Sequence, residues 1–144
     1  MKITIVDPGI DEEEVIIKCH TINEWTLQLI NSFKMQQQKL TGLQNGKICF
    51  IDPEDVYYFE AVDNKVFIYS KEKVFESKLK LYELEALYAH TDYFRASKST
   101  ILNLAKIKHL SPAFNGRFEA LLQNGEHIII SRQYVSELKK KLGI

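Results

Sequence analysis

The sequence predicts a mainly β chain with short helices, an α+β class, in which a small β-β-α unit precedes a larger β-rich region. Three observations carry this. Asn45-Gly46, Asn115-Gly116 and Asn124-Gly125 each stand between apolar segments, and Asn-Gly accepts the positive φ angles of tight hairpins. Apolar residues at helical spacing occur only in short stretches. The texture changes after Lys39, which divides residues 1–38 from 39–144.

In chain order, Lys2–Val6 reads as a strand and Asp7-Pro8-Gly9 as a turn. The acidic run Asp11–Glu14 leads to a second strand candidate, Val15–Cys19. Thr21 and Glu24 have capping-box spacing and predict a helix start. Ile22, Trp25, Leu29, Ile30 and Phe33 form its apolar face, and Gln36 to Lys39 reads as a linker. A unit of this size cannot bury that face alone. It needs the rest of the chain, a second copy or another protein.

In the second region, Val56–Glu60 and Val66–Tyr69 flank a turn at Asp63-Asn64, and Lys73–Ser77 adds a strand. A helix is predicted over about Leu81–Tyr88, with Leu81, Leu84, Leu87 and Tyr88 inward. Phe118–Leu122 and His127–Ile130 should pair across Asn124-Gly125. The last helix starts after Ser131 as N-cap, with Tyr134, Val135, Leu138 and Leu142 inward. Lys139, Lys140 and Lys141 suit the negative end of its dipole.

A length of 144 residues and 45% hydrophobic content fit one compact domain with a small appendage. No stretch approaches the roughly 18 apolar residues of a membrane span. Acid and proline come too early for a signal peptide. The expected location is therefore cytoplasmic. Cys19 and Cys49 fit no zinc or redox spacing and read as reduced, partly buried hydrophobes. No phosphate-binding glycine loop is present, and His20, His90, His109 and His127 are scattered. Nothing points to an enzyme, a cofactor, a metal or a small-molecule substrate.

Formal net charge is zero, but residues 1–38 carry −3 and 39–144 carry +3. From Arg95 to Lys141, nine Lys/Arg stand against three Glu. That asymmetry favours an anionic partner, although charge runs also mark ordinary solvated faces. Arg132 would occupy the first turn of the last helix, where the dipole disfavours a cation. Either it projects toward phosphate or a base edge, or it is exposed or ion-paired internally, with Glu126 as a candidate. Lys98 among Ser97, Ser99 and Thr100 suits phosphate contact; equally, the hydroxyls could cap a turn. Asn103, set between Leu102 and Leu104, reads as a scaffold amide bonded to backbone.

"FRASKSTILNLAKIKHL" followed by "LLQNGEHIIISRQYVSELKKKL" resembles the C-terminal half of a LytTR DNA-binding domain. That family has an Arg-x-His-x-Ser-aromatic segment, then Asn and Ile, a hairpin, and Ser-Arg-x-Tyr. The matching residues are Phe94, Arg95, Ser99, Asn103, Ile107, Gly125, Ser131, Arg132 and Tyr134. "NGKICFIDPEDVYYFEAVDNKVFIYS" and "KLKLYELEALY" match the upstream half, so the resemblance covers about residues 39–144.

The resemblance implies an elongated antiparallel β domain that enters successive major grooves with loops at paired repeats. It implies base contact by Arg132, DNA contact by Lys98, and a further contact loop at Asp63, Asn64 and Lys65. Arg95, Ser97, Ser99 and Gln133 complete the implied DNA-binding set. Ser97 replaces the family's frequent histidine, and Thr100 replaces the aromatic, so base preference on that loop should differ. About 38 upstream residues are too few for a receiver domain. They resemble the extension of stand-alone LytTR regulators, some encoded beside small membrane proteins. The expectation is a transcriptional regulator binding double-stranded DNA, dimeric through residues 1–38, with a small membrane protein as a further candidate partner. The alternative is a protein-interaction module that keeps the β fold without binding DNA.

Overall fold

The structure is a computed structural model that describes residues 4–5, 9, 15–37 and 40–144, the side chains of 35–37 excepted. The expected strand Lys2–Val6, the turn at Asp7-Pro8-Gly9 and the acidic run Asp11–Glu14 lie wholly or partly outside these residues. Val15–Cys19 forms no strand. Cys19 is exposed rather than partly buried, whereas Cys49 is partly buried; both are free thiols.

Helix α1 spans Glu24–Gln37. Its cap is Asn23, not Thr21: the Asn23 Oδ1 accepts from the backbone N–H and the hydroxyl of Thr26, both at 2.9 Å. Asparagine is among the best N-caps, and Glu24 is engaged elsewhere, 2.9 Å from His90 Nδ1. The helix also runs through Gln36 and Gln37, which sequence reading gave to a linker. Gln and Met are good helix formers and extend it past its apolar face.

Ten strands follow, in two antiparallel sheets. The larger contains β1 (Leu40–Gln44), β2 (Lys47–Ile51), β3 (Val56–Val62), β4 (Lys65–Ser70), β5 (Val74–Ser77), β6 (Tyr93–Arg95) and β7 (Thr100–Asn103). Its order is β2-β1-β5-β4-β3-β7-β6. The smaller contains β8 (Ile107–Pro112), β9 (Phe118–Leu122) and β10 (His127–Ile130), in the order β10-β9-β8. Helix α2 is Leu81–Leu87 and α3 is Arg132–Leu142. Among the described residues the chain is therefore mostly antiparallel β with three α-helices.

The expected turns form. Asn45 and Gly46 have φ of 52° and 75°, and Asp63 and Asn64 of 50° and 65°. Paired positive φ values mark two-residue hairpins whose twist matches that of the strands. Asn115 and Gly116 turn between β8 and β9 with φ of 59° and 75°. At Asn124-Gly125 only Gly125 has positive φ. The loop there is longer, and Asn124 Oδ1 accepts from the Glu126 N–H at 3.1 Å.

Two apolar cores lie on opposite faces of the large sheet. Phe59, Ile68 and Ile101 pack with Leu81, Leu84 and Tyr88 of the α2 region. Tyr58, Phe94 and Leu102 pack with Ala120, Leu122 and Ile130 of the small sheet and with Leu138 of α3. Neighbours in sequence thus alternate between cores, as the period of a strand requires. Leu87 and Leu142, expected inward, are exposed; each is the last residue of its helix. Asn103 is buried; its Nδ2 donates to the Val56 carbonyl at 2.8 Å and its Oδ1 accepts from the Ala105 N–H at 3.1 Å. It is a scaffold amide.

Residues of α1 pack on this body. Thr26 is buried, and Asn31 Nδ2 donates to the Ala89 carbonyl at 2.9 Å. Ile22, Trp25 and Phe33 stay exposed. Lys139, Lys140 and Lys141 lie in the last turn of α3 as expected, but Lys141 is partly buried there. Its Nζ turns inward to the Thr91 carbonyl and, at 3.3 Å, to that of Tyr93. Burial pushes its pKa down, partly offset by Asp92 and Glu24. The end of α3 is closed instead by Gly143 at φ 72°, with the Ile144 N–H donating to the Lys139 carbonyl at 2.9 Å.

Candidate nucleic-acid interface

Separate pieces of the sequence meet at one end of the large sheet. The β6–β7 turn closes through the Ala96 N–H on the Thr100 carbonyl at 2.9 Å. Ser99 in that turn accepts at its carbonyl from the Ala61 N–H at 2.8 Å, which ties it to the base of the Asp63-Asn64 hairpin. The Ala96 carbonyl accepts from the Ser131 N–H at 2.8 Å, which ties it to the start of α3. Asn64, Lys65, Lys98, Arg132 and Gln133 are all exposed on these segments.

Within the β6–β7 turn, Arg95 is the clamp. Its Nε donates to the Ser97 carbonyl at 2.7 Å and its Nη2 to the Lys98 carbonyl at 2.6 Å. Its Nη1 meets Glu85 of α2 at 3.2 Å. A planar guanidinium can make these bonds together, where an ammonium could not. Ser97 Oγ accepts from the Ser99 N–H at 3.2 Å and lies 3.4 Å from Ser99 Oγ. The hydroxyls therefore do cap the turn, and Thr100 is buried. The same network leaves the Lys98 ammonium projecting outward.

Arg132 starts α3 after Ser131, which holds the N-cap position without a side-chain capping bond. The aliphatic part of Arg132 lies across Gly116: a Cβ on that glycine would stand 2.9 Å from Arg132 Cδ. Glu126 is not its partner. The Tyr58 phenol is pushed up by burial first and by the neighbouring Glu126 carboxylate next. Tyr58 in turn stacks on Tyr69 with centroids 4.4 Å apart. None of the three ion pairs among the described residues involves Arg132, Lys98 or Lys65.

Sequence reading treated Asn115-Gly116 only as a turn and gave no role to Phe114 or Arg117. The structure packs that turn against Arg132. A phenylalanine directly before Asn-Gly was the available signal, since turn tips seldom need a large apolar side chain. A cleft of about 310 Å³, lined by Ser32, Asp52, Asp92, Tyr93, Asn103 and Lys106, lies elsewhere. Tyr93 and Asn103 are at the far end of the β6–β7 hairpin from its turn.

The family model for the LytTr DNA-binding domain matches residues 46–143. A solved LytTr DNA-binding domain from Bacillus cereus superposes with a TM-score of 0.70 at 28% identity, covering 74% of this chain and 97% of that one. The sensory transduction protein LytT of Enterococcus faecalis is 32% identical over 98 residues, 68% of this chain. The chain spans only 40% of that protein and 58% of the Bacillus anthracis protein of the same name. A Staphylococcus aureus protein described as an uncharacterized HTH-type transcriptional regulator is 30% identical over 93% of both chains. With the family model covering most of its length and the fold superposing on a solved member, the chain belongs to the LytTr DNA-binding domain family.

Proposed function

We propose that the protein is a sequence-specific transcriptional regulator of double-stranded DNA, without enzymatic activity, acting in the cytoplasm. Its loops enter successive major grooves at paired repeats. The observation that carries this reading is the gathering of the Asn64, Lys98 and Arg132 segments at one end of the sheet by the bonds from Ala61 to Ser99 and from Ser131 to Ala96. Arg132 and the Asn64 turn read base edges, while Lys98 and Lys65 meet phosphates. Ser97, Ser99 and Gln133 lie beside these groups and add polar contacts. Arg95 acts by holding the turn in shape.

Residues 1–38 act in assembly. Ile22, Trp25 and Phe33 remain exposed on or beside α1, at the end of the molecule away from the loops. A second copy covering them would pair two reading heads on paired repeats. Light scattering should then show a dimer for the full chain and a monomer for Phe33→Glu. A monomeric parent would reject self-association.

Selection from a random DNA pool by the full-length protein tests the main reading. One enriched motif is expected, and Arg132→Ala should cost about 1–3 kcal/mol on it. Lys98→Ala should weaken binding and lower the salt slope by about one. A pool without enrichment, together with a stable protein partner, would instead favour the interaction module.

A further inference from the structure

We infer that Phe114 contacts DNA, packing on the C5-methyl group of a thymine beside the base that Arg132 reads. The inference rests on the DNA-binding reading above and adds to it a residue and a base feature.

Phe114 is 88% exposed, the most exposed of the eight phenylalanines. It is not on a loose tip. The Ala113 N–H donates to the Arg117 carbonyl at 2.8 Å, and the Arg117 N–H to the Phe114 carbonyl at 3.3 Å. Asn115 and Gly116 take the left-handed conformation between them. This closed turn packs on the first turn of α3 and touches the Arg132 side chain through Gly116. A large apolar ring is thus held ready, with little further ordering required on binding.

The charges around it select the partner. Arg117 closes the same turn and Arg132 packs on its Gly116; both are exposed, and neither joins an ion pair among the described residues. The nearest acid in sequence, Glu119, is held by His127 at 2.7 Å. An exposed apolar side chain on a turn that carries one such cation and packs on the other suits a polyanion with apolar groups on its surface. In the major groove that group is the thymine methyl, which apolar side chains read directly.

The test uses the full-length protein and a duplex recovered by it from a random pool, with each thymine near the Arg132-dependent base replaced in turn by deoxyuridine, which lacks the methyl. One replacement should weaken parental binding several-fold. Phe114→Ala should weaken binding to the thymine duplex about tenfold and lose its response to that replacement, while Phe114→Leu keeps it. An unchanged melting temperature is expected, because the ring covers no core. If Arg132→Ala is weakened but Phe114→Ala binds like the parent, the thymine contact is wrong and DNA reading stands. The same holds if Phe114→Ala is weaker but keeps the full deoxyuridine response. A pool that returns no duplex overturns the DNA-binding reading and this inference with it.

Discussion

Gly116 makes room for Arg132. A Cβ on Gly116 would stand 2.9 Å from Arg132 Cδ and 3.1 Å from its Cγ, closer than carbon atoms pack. The φ of 75° at Gly116 adds a second demand that L side chains meet poorly. Gly116→Ala should therefore cost about 1–2 kcal/mol of stability from the backbone, and it should displace Arg132. In a competition titration it should lose site discrimination as Arg132→Ala does. Discrimination equal to the parent would mean that Arg132 does not need its present course.

Arg95 separates positioning from phosphate contact. All three of its bonds go to the protein, at the Ser97 and Lys98 carbonyls and at Glu85. Arg95→Lys removes the fork but keeps the charge, so DNA affinity should fall while the salt slope stays unchanged. Backbone amides of the 96–100 turn should exchange faster. A slope lowered by about one with unchanged exchange would assign Arg95 to a phosphate.

Asn103 ties the end of β7 to β3 through the Val56 carbonyl and holds the following turn through the Ala105 N–H. Replacing it by Ala strands the carbonyl of the buried Val56, at a cost of about 1–3 kcal/mol, while the N–H of the exposed Ala105 can turn to water. Urea unfolding should show the loss at unchanged m-value. A smaller loss would mean that water takes over that carbonyl.

The protein should unfold in alkali. Burial pushes Tyr88 up to about 12 and raises Tyr93 and Tyr58 further in the same direction. Unfolded tyrosines ionise near 10. The neutral phenol therefore favours the fold, fully so below about pH 10, and stability falls as pH rises from there toward 12. For one such tyrosine the whole effect is on the order of 3 kcal/mol. Tyr88→Phe should move the alkaline unfolding midpoint upward, followed by tyrosinate absorbance and circular dichroism together. Tyrosinate absorbance that rises fully near pH 10 while the fold persists would contradict this.

The sequence by itself determined the hairpins at Asn45-Gly46 and Asp63-Asn64 and helix α2, because these depend on neighbours a few residues apart; it also marked Asn103 as a scaffold amide, but not its partner Val56, 47 residues away. It also carried the order of motifs from Phe94 to Tyr134 that identifies the family. Local chemistry misjudged the start of α1, where Asn23 caps because Glu24 is drawn to His90, 66 residues away. It misjudged Leu87 and Leu142, expected inward and found exposed, and it did not foresee that Lys141 turns its ammonium inward to the Thr91 and Tyr93 carbonyls. Only the tertiary structure decided that Arg95 clamps a turn, that Glu126 makes no ion pair with Arg132, and that the turn carrying Phe114 and Gly116 packs on the start of α3. Those relations join segments far apart in the chain, and their geometry exists only once both sheets have paired and packed.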